Sequence, residues 1–227
     1  MMKNKMMRIA SVLLVAVLLS TCAISGTFSK YVTSKESIDT ARVAKFGVDL
    51  GVIVDGAFAT EYDADVIVTD KDGAAIAKTV VASSTDQHNL VAPGTKGDLM
   101  KSATIAGTPE VAVNVKQEAT LDLTGWEVNG TYYCPLVITV DGTAFYGLDY
   151  PSVDKFIEAV EAALDSDVNY KPNTDLAQTH SVTWAWAFEG TDGKQTDVKD
   201  TALGDYAAKT GDIKISFTYK VIVTQID

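Results

Sequence analysis

Period-two alternation of apolar and polar residues recurs along this chain. From Ile213 the apolar side chains fall on every odd position, at Ile215, Phe217, Tyr219, Val221 and Val223, with Lys214, Ser216, Thr218 and Lys220 between them. A strand of that kind buries one face and wets the other. Three further sets repeat the pattern: Val111, Val113 and Val115; Leu136, Ile138 and Val140; and Val182, Trp184, Trp186 and Phe188. Phe46, Val48 and Leu50 open an apolar stretch that runs to Val54, and residues 66–69 and 75–81 read as a strand pair. Between the runs stand Asp72-Gly73, Asn129-Gly130, Asp141-Gly142 and Asp192-Gly193. Such pairs accept the left-handed backbone of tight hairpins. Pro93-Gly94 marks another turn.

One segment changes period. Ser152 follows Pro151 and is a good N-cap, and Val153, Phe156, Ile157, Val160 and Leu164 then recur at helical spacing, with Asp154, Glu158 and Glu161 opposite. The spacing predicts an amphipathic helix over 152–165 whose apolar stripe packs on the sheet. Many short strands with one helix predict a mainly β fold: an antiparallel β-sandwich, jelly-roll-like, with one inserted amphipathic helix. No long linker interrupts the pattern, so residues 41–227 are expected to form a single domain.

The N-terminus is different. Lys3, Lys5 and Arg8 precede an apolar run over residues 9–20, and the chain turns polar by Ser25. That is the layout of a signal peptide, with an apolar core short for a membrane span. Small residues allow cleavage after Ala23 or after Ser29, so 1–29 is expected to be removed and no stable membrane insertion to remain. Cleavage removes three basic residues and no acidic one, taking the net charge from −11 to about −14. Such a surface repels nucleic acid and anionic lipid. Cys134 is then the lone cysteine, a buried apolar-like residue or an interchain thiol.

Motifs for catalysis are few. The histidines are His88 and His180, without a zinc-binding helix, a nucleophile elbow or a phosphate loop. A hydrolase would need one of them within about 3 Å of both a nucleophile and an orienting carboxylate. No enzyme is expected. Two acidic stretches are candidates for extracellular Ca²⁺: Asp70 and Asp72 in one turn, and Asp192, Asp197, Asp200 and Asp205 in a polar stretch expected to be a loop. Trp184, Trp186 and Phe188 share a strand face and read as core. Trp126, between Gly125 and Glu127, is the freer candidate for stacking on a sugar, as in a glycan- or cell-wall-binding module.

The residues after the apolar run, Gly26-Thr27-Phe28-Ser29-Lys30-Tyr31-Val32-Thr33-Ser34, resemble the signal-peptide end of the camelysin/TasA-like proteins. Ala41-Arg42-Val43-Ala44-Lys45-Phe46, Val91-Ala92-Pro93-Gly94-Thr95-Lys96-Gly97 and Gly107-Thr108-Pro109-Glu110-Val111-Ala112-Val113 are similar to further segments of that family. So are Trp184-Ala185-Trp186-Ala187-Phe188-Glu189-Gly190 and Asp200-Thr201-Ala202-Leu203-Gly204. The resemblance implies a jelly-roll protein exported through a specialised signal peptidase by a Gram-positive bacterium. It implies cleavage after Ser29 and a place in an extracellular matrix, a biofilm or the cell surface. It further implies a fibre subunit that joins itself or related matrix subunits by donating residues 30–40. Lys30, Tyr31, Val32, Thr33 and Ser34 would lead that donor segment.

Overall fold

Strands form where the alternation predicts them. The computed structural model describes residues 42–53, 57–69, 71–83, 90–188, 190, 193–210 and 213–226. The predicted signal segment 1–29 and donor segment 30–40 lie outside these residues, as do His88, Asp70 and Asp192. The strands and helices below belong to one compact unit, Ala44–Asp227.

The larger sheet has five strands in the order β1-β4-β11-β8-β9. These are β1 Val48–Ile53, β4 Lys96–Gly107, β11 Leu176–Trp186, β8 Leu136–Val140 and β9 Thr143–Tyr146. A second sheet has the order β10-β5-β12, from β10 Ser166–Tyr170, β5 Val113–Asp122 and β12 Ser216–Gln225. Two hairpins stand apart, β2 Glu61–Thr69 with β3 Ala75–Ala82, and β6 Glu127–Val128 with β7 Thr131–Tyr132. Every strand pair is antiparallel. The fold is therefore mainly β with helical insertions.

Local chemistry explains the turns. Asn129 and Gly130 have φ of 51° and 73°, and Asp141 and Gly142 have 48° and 83°. Two consecutive left-handed residues make the hairpin turn whose twist matches that of the strands it joins. They connect β6 to β7 and β8 to β9 with two residues each.

Both sheets contribute to one core. Leu99 and Met100 of β4, Leu136 and Ile138 of β8, and Val182 and Trp184 of β11 meet Ala119 and Leu121 of β5 and Tyr219 of β12. Trp184 is its largest fully buried side chain. Its indole donates to the Ala57 carbonyl at 2.8 Å, and the Phe58 ring lies 5.4 Å from its own. Gly97, its register partner on β4, leaves room for that contact: a Cβ there would lie 2.5 Å from the Ala57 oxygen and 2.8 Å from Trp184 Nε1. A smaller cluster of Ile105, Val113, Val115 and Leu176 has Val48 of β1 and Val221 and Val223 of β12 packed against it.

The predicted helix is present as α1, Val153–Ala162. Ser152 Oγ accepts from the Lys155 N–H at 3.3 Å, and Phe156 and Val160 are buried as the stripe requires. Its C-terminal carboxylates reach the sheet. Asp165 Oδ1 accepts from Ala119 N–H at 2.7 Å, and Glu161 Oε1 from Leu121 N–H at 2.9 Å. Those β5 amides lie just beyond the stretch that β10 pairs, which ends at Gln117. The helix thus satisfies the backbone where the neighbouring strand stops.

Two expectations need correction. The acidic stretch around Asp197 is not a loop but a second helix, α2, Asp197–Thr210. The Thr196 carbonyl accepts from Lys199 and Asp200 N–H at 2.9 and 3.0 Å, acidic residues occupy the first turn and Lys209 the last. That arrangement suits the helix dipole, while α2 has little apolar periodicity to reveal it. Phe188 is not part of the core face. β11 ends at Trp186, where backbone bonds to Gly94 and Thr95 close the strand, and the Phe188 ring lies 68% exposed.

Candidate functional site

Among the described residues, the outer edge of β1 is an apolar sheet edge without a paired strand. All six residues of β1 pair with β4, from Val48 opposite Gly107 to Ile53 opposite Ser102. Among the described residues no strand pairs with its other side. Leu50 and Val52 are register partners of Ile105 and Ala103, both fully buried, so they stand on the core-facing side of the sheet. Yet Leu50 is 48% exposed and Val52 42%, and Phe46 just before the strand is 43% exposed. Apolar residues aimed inward at a sheet's edge and left uncovered are a template for another chain.

The open edge follows from sequence and strand order together. Val-Asp-Leu-Gly-Val-Ile carries no lysine and no proline, the residues that blunt edge strands. Asp49 stands on the other face, and Gly51 backs onto Thr104, whose hydroxyl donates to the Gly51 carbonyl at 3.4 Å. β1 therefore runs in unbroken register with β4, and its other side meets no strand among the described residues.

A second constellation lies inside the fold. His180 Nδ1 is 2.6 Å from Asp141 Oδ2, and Asp141 Oδ1 accepts from Ser181 N–H at 2.7 Å. Asp141 is the first residue of the β8–β9 turn, so the turn that reverses the chain also orients the imidazole. His180 Nε2 is buried and has no hydrogen-bond partner. Nearby, Tyr219 hydroxyl donates to Gln117 Oε1, and Gln117 Nε2 donates to Ser166 Oγ at 2.7 Å and Gln178 Oε1 at 2.9 Å. Burial raises the Tyr219 phenol to about 12, with Asp141 and Asp165 adding to the shift. The orienting carboxylate that a hydrolase needs is present, but among the described residues no hydroxyl or thiol lies within hydrogen-bond distance of Nε2.

The other predicted site residues do not assemble. Asp72 pairs with Lys71 at 2.7 Å. Asp200 is buried and accepts from Tyr133 hydroxyl at 2.6 Å and from Gln195 Nε2 at 2.8 Å, while Asp197 and Asp205 lie exposed along α2. Among the described residues no three His, Cys, Asp or Glu side chains converge to hold a metal ion. Trp126, the candidate sugar platform, is 4% exposed. Its ring packs 5.6 Å from that of Trp186 and its indole donates to the Lys214 carbonyl at 2.9 Å. It is a core residue, one edge of which lines a cleft of about 420 Å³ with Phe58, Trp186 and Leu203. Cys134 is buried and free, and burial pushes its thiol up to about 12. A thiol so held is a poor nucleophile.

Sequence reasoning missed the Asp141–His180 pair and the carboxylate contacts of Glu161 and Asp165 to β5. The partners lie 39 to 46 positions apart, and no local pattern marks them. Among the described residues no helix is long and apolar enough to cross a membrane. Compared with known proteins, the chain matches no family model, no curated protein and no solved structure.

Proposed function

We propose that this chain is an exported structural protein that assembles through the open edge of β1, a subunit of an extracellular matrix or cell-surface fibre. The observation that carries the reading is the row Phe46, Leu50 and Val52, core-facing or adjoining and yet 42–48% exposed beside an unpaired backbone edge. A strand added there would satisfy N–H and C=O groups and cover the row. The donor in this reading is the segment 30–40 of a neighbouring subunit, freed by cleavage after Ser29, with Tyr31 and Val32 as apolar anchors. The two antiparallel sheets and their shared core support a jelly-roll-like sandwich, and the segment around the cleavage site resembles the camelysin/TasA-like proteins. Among the described residues the Asp141–His180 pair makes no hydrogen bond from Nε2 to a nucleophile, so the geometry favours assembly over catalysis as the reading.

The test compares protein beginning at Lys30 with protein beginning at Ala41, by size-exclusion light scattering and electron microscopy. Filaments or defined oligomers from the longer form alone are expected. If both forms stay folded and monomeric, the reading fails.

A further inference from the structure

Away from β1, three segments meet in a cleft of about 530 Å³ whose lining includes Tyr132, Tyr133, Tyr150, Pro151, Lys194 and Lys199. We propose that this cleft binds acidic sugar units, the uronate residues of a polysaccharide. The inference goes beyond assembly and does not depend on it, because nothing in the cleft belongs to the β1 edge.

The composition is unusual for this chain. Asp and Glu outnumber Lys and Arg by 30 to 19, yet among the described residues the charged side chains lining the cleft are two lysines and no carboxylate. Among the described residues two acids adjoin it: Asp149 is ion-paired with Lys194 Nζ at the rim, so that Lys199 is the cation offered to a ligand, and Asp200 is buried and accepts from Tyr133 hydroxyl. Lys199 Nζ donates to the Lys194 carbonyl at 3.0 Å and stands 5.4 Å from the centroid of the Tyr133 ring. An ammonium has three donors, so this placement leaves donor capacity for a ligand carboxylate.

The rings are fixed before any ligand arrives. Tyr132 hydroxyl donates to the Gly147 carbonyl at 2.8 Å, Tyr133 is held by Asp200, and Tyr150 packs 5.4 Å from Phe156 of α1. Burial holds the phenols of Tyr132 and Tyr133 well above the usual range, and each spends its single O–H on these internal acceptors, so the rings are offered to a ligand as surfaces and not as donors. Preorganised rings cost little ordering on binding. A pyranose presents an apolar C–H face and a polar rim, which suits the half-buried rings of Tyr132 and Tyr150, while the buried Tyr133 ring seats Lys199, and a uronate adds the carboxylate that Lys199 recognises. A small inorganic anion would use the lysines and leave the rings idle. An acidic peptide would use the lysines without needing ring faces.

The test titrates the mature protein with an oligogalacturonate, a neutral gluco-oligosaccharide of the same length, poly-glutamate and inorganic phosphate. Binding is followed by calorimetry and by NMR shifts of the Tyr132 and Tyr150 ring protons. Saturable binding of the oligogalacturonate, weakened by salt, is expected. Lys199→Gln should weaken it about tenfold, as for loss of one charge-assisted contact, and Lys194→Gln, whose ammonium is already paired with Asp149, should weaken it less. Lys220→Gln, on the exposed side of β12, should leave it unchanged. The proposal is overturned if the oligogalacturonate neither releases heat nor moves the ring resonances, or if the neutral oligomer, poly-glutamate or phosphate binds as tightly. It also fails if the Lys194/Lys199 double variant, folded by circular dichroism, binds like the parent.

Discussion

β5 and β1 are both strands that meet the core on one face, but their sides are finished differently. β5 pairs with β12 over its full length, from Val113 to Asp122. On its other side β10 covers Val113 to Gln117, and beyond that the carboxylates of Asp165 and Glu161 take the Ala119 and Leu121 amides. β1 pairs with β4 and, among the described residues, with nothing beyond. The same alternation of apolar residues is therefore buried in one strand and half-exposed in the other. What separates them is coverage, since β5 is closed by elements of its own chain whereas no strand among the described residues covers the outer edge of β1.

The contrast is sharpest at its energetic extremes. Trp184→Ala empties the middle of the covered core and should lower stability by about 3–5 kcal/mol, as truncation of buried aromatics does, measured by equilibrium denaturation. The covered side should also be sensitive to alkali. Burial raises the Cys134 thiol from 9.0 to about 12, so the folded state holds a proton that the unfolded chain has released. The thiol's contribution is fully present below pH 9 and disappears as pH climbs towards 12, about 4 kcal/mol across three pH units at about 1.4 kcal/mol each. Tyr219, raised to about 12 by burial, acts in the same direction. Denaturation curves between pH 8 and pH 12, flattened in Cys134→Ala, check this prediction.

Removing an acceptor from the β5 side is a smaller insult. Asp165→Ala leaves the Ala119 amide without its partner and should cost about 1–3 kcal/mol, together with faster hydrogen exchange at Ala119. On the β1 side the effect on the monomer should be smallest of all. Leu50→Lys changes a half-exposed residue and should alter stability by no more than about 0.5 kcal/mol, while abolishing oligomers of protein beginning at Lys30. A large loss of monomer stability in Leu50→Lys would show that β1 is covered after all and would erase the difference between the two edges.

Much of the fold was legible because its signals are local. The left-handed pairs Asn129-Gly130 and Asp141-Gly142 turn the chain where their lack of strain allows it, and Ser152 starts α1 by accepting from an amide three residues on. The alternation at Val182, Trp184 and Trp186 located a core strand, though extending it to Phe188 ran past the end of pairing. α2 escaped notice because its start rests on Thr196 and its charges rather than on an apolar stripe. Its acidic residues read in sequence as a loop able to gather an ion, whereas helical spacing spreads Asp197 and Asp205 apart and burial claims Asp200. Trp126 looked free because its sequence neighbours are glycine and glutamate, yet Trp186 and the Lys214 carbonyl enclose it from 60 and 88 positions away.

The sequence by itself determined which segments become strands, where they turn, where α1 begins and which face of each element is apolar, because these depend on steric and polar preferences of residues and their near neighbours. Tertiary structure decided which apolar faces are covered, which carboxylate meets His180 and where tyrosines and lysines converge. Those outcomes depend on the order in which strands join the sheets, and that order brings together side chains that share no local pattern.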